Sequence, residues 1–373
     1  MQFGLSSEQR LLQHSLTQFL RDRAPLARVR RFAEQDEGRA ADLTSGLAEL
    51  GVPALLIAPE FGGIGGTVLD ACLVAECLGR YVAPVAFVAS AVMAPTALRL
   101  AGSPTQCSDW LPRIAAGQVS VGAALSEHSG ARGGAGVVCR DGRLSGRALQ
   151  VIDFEADAYL VADAQCGLHL VAADAAGLQR RRLETVDRTR LIGELIFDSV
   201  ATEPLPGANR DVIRQLLAIG RTLLAADTLG AAQAMLDQAL AYAGQREQFG
   251  RVIASFQAVK HLCAEMAAEL EPTRAFVWAT GHAFSQSAGE ADEAGETDKA
   301  DAAFVLSCQL KAHCAEVGQF VAKTSTEVHG GIGFTDLLGL HYWFKRIGMN
   351  RQLLGSPDWL RRQAAVALGL MAG

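Results

Sequence analysis

The stretch REQFGRVIASFQ, from Arg246 to Gln257, separates two long segments whose apolar residues recur at helical spacing. Its glycine permits a tight turn that residues with a side chain resist. The first arginine supplies a rigid fork of donors that suits phosphate oxygens. The phenylalanine offers a flat apolar face, and the last glutamine an amide that both donates and accepts. This combination favours a docking element for a phosphorylated, aromatic ligand. An ordinary helix–helix corner with exposed polar residues is the alternative.

Helical periodicity continues on both sides of this stretch. It predicts helices over residues 211–242, 256–284 and 302–328, and a last helical segment towards the C-terminus. The acidic run from Ser285 to Asp301 interrupts the pattern and is predicted to be an exposed loop. Because long antiparallel helices of this kind pack side by side, residues 207–373 are predicted to form a four-helix bundle.

The first third of the chain carries helical patterns as well. A Ser-Ser-Glu start signal at residue 6 opens the first helix, and further helices are predicted over residues 40–50, 69–78 and 86–101. Residues 1–119 are therefore predicted to form an N-terminal helical domain.

The pattern changes near Val119. Asp141-Gly142 is a strong hairpin signal, and short strands are predicted over residues 158–162, 168–172 and 195–197. Residues 120–206 are predicted to form a small, β-barrel-like domain. The chain is thus predicted to be mainly α-helical with a central β domain.

Composition excludes several classes of function. The net charge of −6 and the lack of a basic stripe argue against a nucleic-acid partner. The chain contains no uncharged apolar stretch long enough to predict a membrane span. Its N-terminus lacks the basic-then-apolar form of a signal peptide. The eight cysteines are scattered without a CxxC pair or a zinc-like histidine cluster, so no metal site is predicted. Buried free thiols in a reducing cytoplasm are the simplest account of them.

Taken together, these segments resemble the acyl-CoA dehydrogenase family over nearly the whole chain. The motifs that carry the resemblance fall in the expected order: PEFGGIGG, ECLGRYVAP, LSEHSGA, VDRTRL, YAGQREQFGRVIASFQAVKH and EVHGGIGFTDLLGLHYWFKR. The resemblance implies an FAD-dependent α,β-desaturation of an acyl-CoA thioester, in which a carboxylate removes the α-proton and a hydride passes to the flavin.

The chain departs from this family at the catalytic base. The resemblance places the family's glutamate at one of two positions, and these are Gly220 and Leu354 here. Neither residue accepts a proton, so no catalytic residue is predicted. Asp227, Glu247 and Asp336 are acids that could substitute, although each is more often a surface charge or a cap. The resemblance also places Arg221 near the active centre.

A second departure concerns the flavin. Gln150 and Ile152 align with the Trp and Thr that pack against the isoalloxazine of the same subunit in the family. Ser126 and Glu127 of the preceding loop are retained, whereas His128 replaces a proline. The positions through which a neighbouring subunit touches FAD are mostly retained: Arg246, Gln248, Phe249, Phe256, Gln257, Gly330, Gly331 and Gly333. Glu327 replaces a glutamine in that set.

The leading hypothesis is therefore a non-catalytic subunit that completes the FAD site of a Glu-bearing acyl-CoA dehydrogenase paralogue. The resemblance is to the partner chains of heterotetrameric bacterial enzymes that act on bulky, steroid-derived CoA thioesters. One alternative is a self-sufficient dehydrogenase or oxidase-like flavoenzyme with a relocated base. The other is a CoA-ester-binding or structural homologue that is not an enzyme.

Overall fold

Helices make up the first third of the chain. The computed structural model describes residues 4–125, 128–130, 135–286 and 293–371. Its first helices are α1 (Ser7–Arg23), α2 (Leu26–Glu34), α3 (Ala41–Glu49), α4 (Val68–Arg80), α5 (Ala94–Ala101) and α6 (Pro104–Ala115). Side chains of Ser6, Thr67 and Ser103 cap α1, α4 and α6, each in a reciprocal capping box.

Three features of this part were not predicted: the helix α2, the helix α6 and the late start of the helix expected from residue 86. The helix α2 is short, and its buried side includes Arg28, which binds Glu37 and Asp42. The helix predicted from residue 86 starts later, as π-helical turns over Val88–Met93 that lead into α5. A carboxylate oxygen of Asp153 accepts hydrogen bonds from the backbone N–H groups of Ala89 and Ser90 near the start of these turns, at 2.8 and 3.2 Å.

The middle of the chain forms strands. They are β1 (Val121–Ala124), β2 (Gly136–Arg140), β3 (Arg143–Val151), β4 (Ala158–Ala162), β5 (Leu168–Ala172), β6 (Leu178–Arg182), β7 (Gly193–Ala201) and β8 (Glu203–Pro204). In the described residues they build two four-stranded sheets, in the orders β1-β4-β5-β8 and β2-β3-β7-β6. A small apolar core lies in this part of the chain and includes Leu144, Val151, Tyr159 and Leu195.

Most strand predictions are confirmed. The strands β4 and β5 have the predicted bounds, and Asp141 and Gly142 form the two-residue turn between β2 and β3, both with positive φ. The strand β6 was missed because its arginines point mostly to solvent and hide any apolar alternation. The predicted domain limits at residues 119 and 206 stay predictions.

Long helices form the last part of the chain. They are α7 (Arg210–Gln245), α8 (Gln257–Gln286), α9 (Glu293–His329), α10 (Leu340–Gln352) and α11 (Pro357–Ala367). The helices α7, α8 and α9 pack on one another, with α10 and α11 against α9. The fold class, mainly helical with a central β part, is confirmed. None of the described helices carries an apolar stretch long enough to cross a membrane.

The predicted acidic loop is wrong in part. The backbone of α9 already begins at Glu293, inside the stretch predicted as a loop, while residues 287–292 lie outside the described residues. The error has a physical cause, since Ala, Glu and Lys are strong helix formers even where no apolar stripe is present.

A buried ion cluster joins the three parts of the chain. Arg346 on α10 donates to Asp187 at 3.0 Å and to Asp227 on α7 at 3.1 Å, and also to the backbone oxygen of Ala83. The guanidinium of Arg190 also donates a hydrogen bond to Asp227, at 3.0 Å. Asp227 is therefore a buried structural acid, and the expectation of a surface charge or a cap is wrong.

We predict that Arg346→Met lowers the free energy of unfolding by about 3–5 kcal/mol, because it leaves two buried carboxylates short of a partner. Urea denaturation measures the loss. Arg361→Met is the matched control, since its side chain is half-exposed and paired with Glu316, and it should cost less than about 1 kcal/mol. Equal losses in the two variants would contradict a central role for the cluster.

Candidate functional site

The two positions of the missing base lie side by side. Gly220 is on α7, and Leu354 is in the turn between α10 and α11. A Cβ atom on Gly220 would lie 2.7 Å from Cδ1 of Leu354 and 3.1 Å from the sulfur of Met93. Leu354 is only 5% exposed and has a φ of +56°. The Leu354 side chain therefore packs on the bare backbone of Gly220, and neither position carries a carboxylate.

Arg221 is buried completely behind this pair. Its Nε donates to the backbone oxygen of Leu354 at 3.0 Å, and its guanidinium lies over the rings of Phe304 and Trp359. Burial lowers the pKa of Arg221 from its ordinary value. Among the described side chains, no carboxylate forms an ion pair with it. Its contacts are instead a carbonyl, the two rings and the Cys308 sulfur at 3.5 Å.

The acids considered as substitutes lie elsewhere. Asp227 is seven residues beyond Gly220 on α7, about 10 Å along the helix, and is held by the buried cluster. Glu247 is exposed on a hairpin. Asp336 accepts a hydrogen bond from His341, and this bond holds the pKa of Asp336 below its usual value. None of the three is brought to the space beside Gly220 and Leu354.

The surface that aligns with the family's own flavin contacts is altered. Gln150 is exposed, with a φ of +53°, at a register irregularity between β3 and β7. Ile152 is buried, and its backbone exchanges two hydrogen bonds of 3.0 Å with Ala123. Ser126 and Glu127 lie outside the described residues, and the His128 ring bonds the backbone oxygen of Asp163. The two aligned side chains, an amide and a buried aliphatic group, offer no aromatic face.

The stretch from Arg246 to Gln257 forms a β-hairpin followed by a short helical turn. The strands β9 (Glu247–Gln248) and β10 (Arg251–Val252) pair antiparallel, and Phe249 and Gly250 form the turn with φ values of +55° and +76°. A positive φ is uncommon for a residue with a side chain and marks a constrained position. The corner between α7 and α8 is thus a hairpin that the local pattern did not predict.

The side chains of this hairpin project to solvent. Phe249 is 92% exposed, and its ring meets that of Phe256 edge to face at 6.1 Å. Arg246, Gln248 and Gln257 are exposed as well. Arg246 makes no ion pair among the described side chains. The hairpin therefore presents the Arg246 cation, amides and an aromatic ring, and the part of the chain that the structure describes offers this cation no ionic partner.

The glycines after α9 differ in their surroundings. A Cβ atom on Gly330 or Gly331 would meet no heavy atom within 4 Å, so the backbone there is open to a close approach. A Cβ on Gly333 would instead lie 2.7 Å from the backbone oxygen of Thr326, which indicates a packing role. His329 is buried against Tyr242, with ring centroids 4.8 Å apart, and burial lowers its pKa. Glu327 is exposed.

Two groupings in the structure were not predicted from the sequence. Lys311 is buried near Arg221, although nothing in the helical pattern distinguishes it from an exposed lysine. Donor atoms of Cys139, Asp163 and His169 lie within 4.8 Å of one another. Cys139 lies in β2, Asp163 follows β4 directly and His169 lies in β5. Their spacing in sequence therefore matches no metal motif.

We predict that Gly220 and Leu354 are energetically coupled. Leu354→Ala should cost roughly 2–5 kcal/mol by leaving a cavity. Gly220→Ala should cost about 1–3 kcal/mol because its new methyl group meets Leu354. In the double variant the clash is relieved, so the combined loss should fall short of the sum by about 1 kcal/mol or more.

Gly348→Ala is the matched control for this cycle. It is a helical glycine of α10, and a Cβ there meets nothing within 4 Å. Its effect should add to that of Leu354→Ala in urea denaturation. Strict additivity for Gly220→Ala as well would mean that the two positions do not share one space.

The chain is similar in sequence to known proteins. Family models for acyl-CoA dehydrogenases match residues 6–118 (N-terminal domain) and 210–369 (C-terminal domain). The acyl-CoA dehydrogenase IpdE2 of Mycobacterium tuberculosis is 31% identical over 366 residues, which cover 95% of this chain and 96% of that protein.

Solved structures show the same likeness. The ChsE4–ChsE5 complex of Mycobacterium tuberculosis matches with a TM-score of 0.88 at 25% identity, covering 100% of both chains. A variant of the steroid ACAD Tcur3481–Tcur3483 matches with a TM-score of 0.85 at 28% identity, covering 97% of this chain and 98% of the other. The chain belongs to the acyl-CoA dehydrogenase family.

Proposed function

We propose that this chain is the non-catalytic subunit of a heteromeric, FAD-dependent acyl-CoA dehydrogenase, and that its partner supplies the base. The observation that carries the proposal is the packing of Leu354 beside Gly220, which fills the space at both base positions with apolar atoms. A general base must reach the α-proton and hold a suitable pKa. Neither residue meets either condition, so proton removal is assigned to another chain.

The residues on the outer face of the bundle fit one half of an FAD site. FAD, when bound, supplies the hydride acceptor of the reaction. The exposed guanidinium of Arg246 suits the pyrophosphate, and the exposed amide of Gln248 and ring of Phe249 suit the adenine end. The open backbone of Gly330 and Gly331 allows a close approach of the ligand.

The remaining predicted contacts are assigned to the same half-site. Phe256 and Gln257 would extend it at the start of α8, whereas Gly333 supports it by packing. Exposed Glu327 would add a negative charge at the pyrophosphate end of this half-site.

The residues that would hold the flavin ring within this chain do not fit. Gln150 supplies no aromatic face, and the side chain of Ile152 is apolar and buried. We therefore infer that the flavin held by Arg246 and its neighbours has its reactive ring in the partner's site. This asymmetry favours a hetero-oligomer over a self-sufficient enzyme.

The partner and the substrate follow from the relatives. ChsE4–ChsE5 is a complex of two different chains by name, and Tcur3481–Tcur3483 is a steroid ACAD. We infer a Glu-bearing acyl-CoA dehydrogenase paralogue as the partner, in a tetramer with two copies of each chain, and a steroid-derived acyl-CoA thioester as the substrate. The eight free cysteines are consistent with a cytoplasmic location.

Arg246→Ala tests the proposal in the complex with such a paralogue. Loss of a charge-assisted hydrogen bond should weaken FAD binding roughly 10- to 100-fold, since such bonds contribute about 1.5–3 kcal/mol. Flavin fluorescence measures the dissociation constant, and size-exclusion chromatography checks that the tetramer persists.

Gln150→Ala is the matched control, at a position that aligns with the family's own flavin contacts. Its complex should keep the FAD affinity of the wild type, because the proposal gives this side chain no flavin contact. A large loss of affinity in Gln150→Ala, or none in Arg246→Ala, would reverse the assignment of the two half-sites.

A further inference from the structure

The turn that carries Leu354 has a strained backbone. Leu354 has a φ of +56° and Gly355 a φ of +115°. For an L-residue such as leucine, the left-handed conformation costs roughly 1–2 kcal/mol. Such a residue persists only where its surroundings hold it in place. The contacts of this turn therefore decide whether the space beside Gly220 stays filled.

One buried cation holds the turn. The Nε of Arg221 donates to the backbone oxygen of Leu354 at 3.0 Å, and the guanidinium lies over the rings of Phe304 and Trp359. The six-membered ring of Trp359 also packs on Gly355, where a Cβ atom would lie 2.7 Å from it. Arg221 and Trp359 thus keep Leu354 against Gly220.

A second buried basic side chain, that of Lys311, lies at the same turn without a good partner. Lys311 on α9 is 2% exposed, and its Nζ lies 3.4 Å from the backbone oxygen of Arg351 and 3.5 Å from that of Gly355. Both distances exceed those of ordinary hydrogen bonds. No carboxylate pairs with Lys311 in the part of the chain whose side chains are described. An ammonium in this position loses hydration that these contacts do not replace.

We propose that Arg221 and Lys311 are opposed positioning residues of this turn: Arg221 holds Leu354 over Gly220, and a proton on Lys311 drives the turn open. The inference rests on the proposed function, because the closed turn keeps an acyl group out of this subunit. It names the residues that set this exclusion. Neither residue acts as a catalytic residue here.

The groups around Lys311 make the opening of the turn depend on pH. Arg221 faces it from α7 and Arg351 from α10, while Cys308 and Cys314 face it from its own helix. Burial, reinforced by the two arginines, lowers the pKa of Lys311 from 10.5 to about 7. When the turn opens and hydrates the amine, the pKa rises towards its ordinary value.

The sign of the effect follows from proton linkage. Between pH 7 and the pKa of the open state, the open turn binds a proton that the closed turn does not. The closed state therefore gains stability as the pH rises through this range. Below about pH 7, Lys311 is protonated in both the open and the closed turn, so the equilibrium between them no longer depends on pH.

Hydrogen exchange of the full chain, followed by mass spectrometry between pH 6 and 9, tests the proposal. The segment from Leu353 to Gly355 is monitored, with the amides of α10 as an internal reference. After correction for intrinsic rates, its protection should rise above pH 7, by up to about tenfold per pH unit. In Lys311→Met the protection should be independent of pH and at least as high as in the wild type.

Two further variants complete the test. Lys323→Met changes an exposed lysine of the same helix and should retain the wild-type profile. Arg221→Met should raise exchange at the segment about tenfold or more while the pH dependence persists. A wild-type pH dependence in Lys311→Met, or unchanged protection in Arg221→Met, would overturn the proposal. Because no partner or flavin is involved, either result leaves the proposed subunit role standing.

Discussion

The structure depends on the buried ion cluster around Arg346. Its guanidinium binds carboxylates of Asp187 and Asp227 and a backbone oxygen next to α4, so one side chain contacts all three parts of the chain. Burying these charges is costly unless each is paired and hydrogen-bonded. The pairing with Arg190 and Asn350 meets this condition for Asp227. The cluster therefore restricts how α7 and α10 can pack.

That restriction sets the geometry of the vacated base site. Gly220 lies two turns before Asp227 on α7, and Leu354 follows the end of α10, which carries Arg346 and Asn350. Holding these helices together brings Leu354 onto the bare backbone of Gly220. The residues at the two base positions are thus complementary, because the leucine needs the space that the glycine provides.

Local patterns predicted much of the fold, and the contacts across the chain escaped them. Turn chemistry at Asp141-Gly142 and alternation in β4 and β5 gave correct strands. The start of α9 was missed because its first turns are helix-forming yet carry no apolar stripe. Arg346 and Asp187 are 159 residues apart, and nothing local in either segment indicates that they pair. Resemblance to the family located Gly220 and Leu354 as substituted positions, but only the structure shows the leucine filling the space, with Lys311 behind it.

We propose that this chain lends an FAD half-site to its partner and lacks a complete one of its own. The most direct measurement is the flavin content, from the visible absorbance spectrum, of the chain purified alone and coexpressed with a Glu-bearing paralogue. We expect a colourless chain alone and two flavins per tetramer in the complex. A yellow, fully active homotetramer of this chain, or four flavins per mixed tetramer, would contradict it.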